Sequence, residues 1–213
     1  MAGIAGPAAF TAAWIASSLL QTGHPAAEIQ ISGLAAPDAR DPWIMVAGFV
    51  VLGGCTVAFG AALHDALGGR GGVGWSRCRC RGGAGPAPRL IQGAGLLTIA
   101  AGMLRRDRML LAPGSVSWHN HAHDVISVVI YVDLVAAQVL LAARFGRDPR
   151  WRSWRPWVLG CGLATGAVLV AFAADTSAPG AGVLQRVAVT IPLAVIAAIA
   201  VRLLRTPARS GWP

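Results

Sequence analysis

The chain has 213 residues, a mean hydropathy of +0.58, 55% hydrophobic residues and only 13% charged ones. A soluble domain carries about 25% charge, so an ordinary soluble fold is excluded. The net charge of +9 comes entirely from arginine, with no aromatic-interleaved basic fold beside it, and nucleic acid is not the expected partner.

An arginine-only basic set with abundant Ala and Gly points to a GC-rich bacterial genome. Cys55 and Cys161 lie in apolar stretches as small buried residues. Cys78-Arg79-Cys80 is half of a zinc site that lacks its second pair.

Several charge-free windows reach the ~20 residues that cross ~30 Å of hydrocarbon. The first covers residues 4–22. It lacks the basic segment that a cleaved signal needs ahead of it, so an uncleaved span is expected. Residues 23–42, with Pro25, Pro37 and Pro42, read as a polar loop. The second span covers 43–63, with Trp43 as an interfacial anchor. Residues 68–89 read as a flexible Gly/Arg-rich cytoplasmic loop. The third span, 90–104, is short and gains length if Arg89 snorkels. Arg105-Arg106-Asp107-Arg108 closes it. The fourth span, 122–143, opens at Trp118-His119-Asn120-His121-Ala122-His123-Asp124. An arginine-rich loop with Trp151, Trp154 and Trp157 leads to the fifth, 157–174. A Pro/Gly turn leads to the sixth, 183–204, where Pro192 predicts a kink rather than an end.

Six spans put both termini on one side. Thirteen of the eighteen arginines fall on that side, in the 68–89, 144–155 and 202–209 stretches. The positive-inside bias then makes both termini cytoplasmic, and the expected architecture is an all-α, six-span bundle in the bacterial plasma membrane. The lipid bilayer is the expected partner, with attraction to anionic lipid a secondary possibility.

This topology gathers Ser32, Asp107, His119, His121, His123, Asp124, Asp175 and Arg186 at the extracytoplasmic ends of the spans, where a shared pocket is expected. His119 and His123 are four apart, on one helical face, a spacing that presents two imidazoles to one metal such as Zn. Asp107 or Asp124 would serve as a third ligand or general base. The pair lacks the intervening Glu of a protease motif, and a hydrogen-bonded helix boundary explains the same residues. Asp133 lies mid-span, where a carboxylate costs about 2.5–3.5 kcal/mol; it reads as a proton relay or as a protonated interhelical hydrogen bond. Gln185-Arg186 opens the sixth span, with Arg186 pairing to a carboxylate or snorkelling alone.

Ile31-Ser32-Gly33-Leu34-Ala35-Ala36, then Trp43-Ile44-Met45 before GFVVLGGC, together with Ser117-Trp118-His119, His123-Asp124, Ala143-Arg144-Phe145 and Gln185-Arg186-Val187, resemble the bacterial membrane family called domain of unknown function 998. The resemblance covers nearly the whole chain and implies a six-span bundle of unassigned role. It implies importance for Ser32, His119, His123, Asp124, Gln185 and Arg186. The family's Phe-x-x-Asp-Pro appears here as Met103-Leu104-Arg105-Arg106-Asp107-Arg108, so only the Asp matches. Residue types also resemble those of the alkaline ceramidase and adiponectin-receptor hydrolases, whose seven spans and motif order differ.

The leading expectation is a structural or ligand-binding membrane protein with an extracytoplasmic His/Asp pocket. One alternative is a metal-dependent hydrolase of a lipid or amphiphile at the outer leaflet, with metal on His119 and His123. A small proton-coupled transporter using Asp133 is the other.

Overall fold

A computed structural model describes residues 1–22, 25–68, 85–110, 116–174, 176 and 179–205. Among them lie six long helices and no strand: α1 (Ala2–Leu20), α2 (Trp43–Gly68), α3 (Ala87–Met103), α4 (Trp118–Gly146), α5 (Arg155–Ala174) and α6 (Ala181–Arg205). All except α3 are long and apolar enough to cross a membrane; α3, at 17 residues, falls just short. The all-α membrane class is therefore as expected.

Each helix packs against its neighbour in chain order, and α1 also packs against α6, which closes the six into a ring. Hydrocarbon offers no hydrophobic drive between helices, so small residues and close backbone approach do that work. At the α2–α3 contact, a Cβ placed on Gly95 would come within 2.7 Å of the Gly53 carbonyl oxygen. Buried Phe10, Met45, Leu52, Phe59, Leu141, Leu193 and Ile199 fill the interior. Outward faces stay apolar and uncovered: the α5 region buries only 17% of its most apolar window, as suits a lipid-facing wall.

The helices overrun the expected spans. Trp43–Gly68 extends α2 past residue 63, and α4 takes in the whole histidine cluster and runs on to Gly146. Ala87–Arg89, expected in the loop, already belong to α3, with Pro88 in its first turn where a missing N–H costs nothing. Residues 69–84, including Cys78 and Cys80, lie outside the described residues. Pro192 is accommodated within a continuous α6.

The larger difference is in the stretch read as a loop. Ile31–Ala35 forms a short 3-10 turn whose five residues are all buried. It contacts α1, α2 and α6 and plugs one end of the ring. Gly33 permits this, because a Cβ there would overlap the Met109 carbonyl oxygen.

At the opposite end, Phe145 stacks on Trp151 at 4.5 Å, and Trp154 and Trp157 continue the series edge to face. The Arg202 guanidinium sits over Trp151 and Trp154 at 4.8 and 4.9 Å, joining α6 to the α4–α5 connection.

Candidate functional site

The α3–α4 connection is held by side chains that finish helices. Ser117 is the N-cap of α4, its hydroxyl accepting from the Asn120 amide. The Asp107 carboxylate accepts from both the Ser117 hydroxyl and the Ser117 amide. Those two bonds hold the Asp107 carboxyl below the usual range, with a smaller pull from His119 and Arg106. Asn120 then donates to Asp124 at 2.8 Å.

Arg106 is buried beneath this layer. Its guanidinium donates to Gln30 at 2.6 Å and lies 3.8 Å from the Asp124 carboxylate. Burial pulls its pKa down and the two aspartates push it back up, so it remains an arginine cation. Gln30 in turn donates to the Thr176 carbonyl. Asp107, Asp124 and Arg106 thus tie the plug, the α3–α4 connection and the segment before α6 into one network.

His123 points inward. Its Nδ1 lies 2.9 Å from the Ala101 carbonyl and 2.8 Å from that of Leu104, the orphan acceptors at the C-terminal end of α3. His119, one turn further out, has no helix α3 left to pack on and stacks on Trp118 at 3.8 Å. His119 and His121 are exposed. Among the described residues, no three His, Cys, Asp or Glu side chains are grouped to hold a metal. Asp175 lies outside the described residues.

Among the described residues, Arg186 pairs with no carboxylate. It donates to the Ile29 and Gly182 carbonyls at 2.8 and 2.9 Å and to the Ser18 hydroxyl at 3.0 Å, with its guanidinium 5.3 Å from the Trp14 ring. It therefore anchors the segment leading into the plug rather than snorkelling alone. Its neighbour Gln185 accepts through Oε1 from the Ile31 amide, fixing the plug's first residue to α6.

Beneath the plug lies a partly open cavity of about 70 Å³. Its polar lining residues include Ser32, His123, Ser127, Tyr131 and Gln185, and its apolar ones include Phe10, Phe49, Leu52, Leu134 and Leu193. His123, Ser127 and Tyr131 recur every four residues, so α4 turns one polar stripe into the cavity. Ser127 and Tyr131 were not singled out as site residues by the histidine spacing, though the same period run inward from His123 reaches both. Asp133 falls off that stripe. Its carboxylate faces α3, where a Cβ on Gly93 would sit 3.5 Å from it.

Of the residues expected to converge, the structure brings Ser32 and His123 to one cavity, which Gln185 also lines. It places Asp107 and Asp124 in the neighbouring capping network, and His119, His121 and Arg186 elsewhere, as it does Asp133.

No curated protein and no solved structure matches the chain significantly. The family model described as "protein of unknown function (DUF998)" matches residues 4–202, nearly the full length. With its motifs now placed on one ring of helices, the chain belongs to the DUF998 family.

Proposed function

We propose that this chain is a six-span protein of the bacterial plasma membrane, with both termini cytoplasmic, that binds an amphiphile in the plugged cavity at its extracytoplasmic end. The observation that carries the reading is the cavity itself, which is lined by both hydrogen-bonding and large apolar side chains. The arginine asymmetry supports the orientation, and the place of α3 in the ring between α2 and α4 supports a sixth crossing.

The bonding of the ionisable groups favours binding over chemistry. A hydrolase would need His119 and His123 on one metal and a free carboxylate as base. Here His123 is buried against the end of α3 while His119 is exposed and stacked on Trp118, and Asp107 and Asp124 are engaged with Ser117 and Asn120. A transporter using Asp133 would need it on the cavity stripe, and it faces Gly93 instead.

The test is retention of lipid. The full chain, purified gently from its membrane, should carry a bound amphiphile detectable by native mass spectrometry. Val189→Trp, which fills the cavity from α6, should remove that species while the protein stays folded. Identical retention in both proteins would sink the reading.

A further inference from the structure

The polar groups around the cavity are not equivalent, because their existing bonds decide which end of each is left over. His123 Nδ1 faces two carbonyl oxygens. Carbonyls only accept, so Nδ1 carries the proton and the neutral ring keeps its lone pair on Nε2. Nε2 has no hydrogen-bond partner among the described residues, which makes it an acceptor on the cavity wall.

Gln185 has the opposite polarity. Its Oε1 accepts from the Ile31 N–H, which leaves the amide NH₂ to donate. Tyr131 lies within hydrogen-bonding reach of that side chain. Thr98 also lines the cavity, but its hydroxyl is spent on the Ala94 carbonyl at 2.7 Å. Ser32 and Ser127 make no side-chain hydrogen bond among the described residues.

Charge completes the pattern. No Asp, Glu or Arg lines the cavity, and the nearby Arg106 is taken by Gln30 and Asp124. A carboxylate placed here would face the Nε2 lone pair with no cation to offset its lost hydration. A phosphate headgroup meets the same objection. An ether or ester can accept from Gln185 but gives His123 nothing. A hydroxyl does both while uncharged.

Resting on the amphiphile-binding reading above, we propose that the cavity selects the hydroxyl of a long-chain alcohol. The hydroxyl donates to His123 Nε2 and accepts from the Gln185 amide, and its first methylenes lie against Phe49, Leu52 and Leu134.

The experiment uses the full chain in nanodiscs and four test ligands of equal chain length: tetradecanol, its methyl ether, tetradecanoate and tetradecane. Bound ligand is measured by mass spectrometry at matched concentration in the bilayer and neutral pH. Tetradecanol should bind about tenfold or more tightly than the ether, the worth of one buried donor bond. Tetradecanoate and tetradecane should bind more weakly still. In Gln185→Leu the preference for alcohol over alkane should shrink. If that variant fails to fold, the wild-type comparison of alcohol with ether decides by itself.

Equal binding of alcohol, ether and alkane would overturn the hydroxyl selectivity while leaving amphiphile binding intact. Tighter binding of tetradecanoate would replace the alcohol by an anion. Binding of none of the four, with a different lipid retained in the native spectrum, would overturn the selectivity alone; binding of none with no lipid retained would overturn the binding reading as well.

Discussion

Side chains at the α3–α4 connection act as caps before they act as anything else. Asp107 is the clearest case, because its carboxylate accepts from both the hydroxyl and the amide of Ser117. Its pKa in the folded protein is lowered by those bonds. The linkage follows from that direction: the stabilisation is present above the unfolded value of about 3.9 and is lost as pH falls through the lower folded value. Asp148, held down by its bond to Arg150, adds to the same trend. Thermal unfolding followed from pH 7 down to about pH 3 should show the wild type losing more stability below about pH 4 than Asp107→Asn. Parallel curves for the two proteins would remove Asp107 from the account. The His119/His123 spacing was legible in the sequence, but the difference between them was not. His123 is level with the last carbonyls of α3 and His119 is one turn beyond them, and only the end of α3 distinguishes the two.

Among elements, the α2–α3 pair is the tightest. A side chain on Gly95 would meet the Gly53 carbonyl oxygen and the Val57 amide nitrogen at 2.7 and 2.8 Å, both backbone atoms that cannot step aside. Gly54, one residue along α2 from Gly53, has nothing within 4 Å of a Cβ and is exposed. Gly95→Leu should therefore lower stability by about 1–3 kcal/mol, or more if the helices must part. Gly54→Leu should be neutral or slightly stabilising, since Gly is a poor helix former. Melting temperatures of the two variants in one detergent check this, and equal losses would contradict the packing. The plug was the element least legible beforehand. Ile31–Ala35 has too few residues for any helical periodicity and sits among prolines, so its burial is visible only once α6 supplies Gln185 as acceptor for the Ile31 amide.

For the whole molecule, sidedness is the property that most needs measuring, since it decides which compartment the cavity serves. In a background without the native cysteines, a membrane-impermeant maleimide should label Glu28→Cys and Arg108→Cys in intact cells. Arg147→Cys should react only after permeabilisation. All three positions are exposed among the described residues. The reverse pattern would place the plugged cavity on the cytoplasmic side, and labelling of all three from outside would contradict the single crossing by α4 between Arg108 and Arg147.

Class and approximate element boundaries followed from the sequence because they are local. Long uncharged windows form helices in lipid, where every backbone group must bond within its own segment. Arginine counts along the chain likewise carry the expectation about orientation. Which face of each helix looks inward was decided only in the tertiary structure. A span apolar all round carries almost no amphipathic signal, so nothing in α4 alone says that the His123 face is interior and that Asp133 turns toward α3. Packing of α4 on α3 and of α6 on the plug, within the ring that α1 and α6 close, sets those faces. With them it sets the cavity, and it gives His123 and Gln185 the bonding partners that leave one an acceptor and the other a donor.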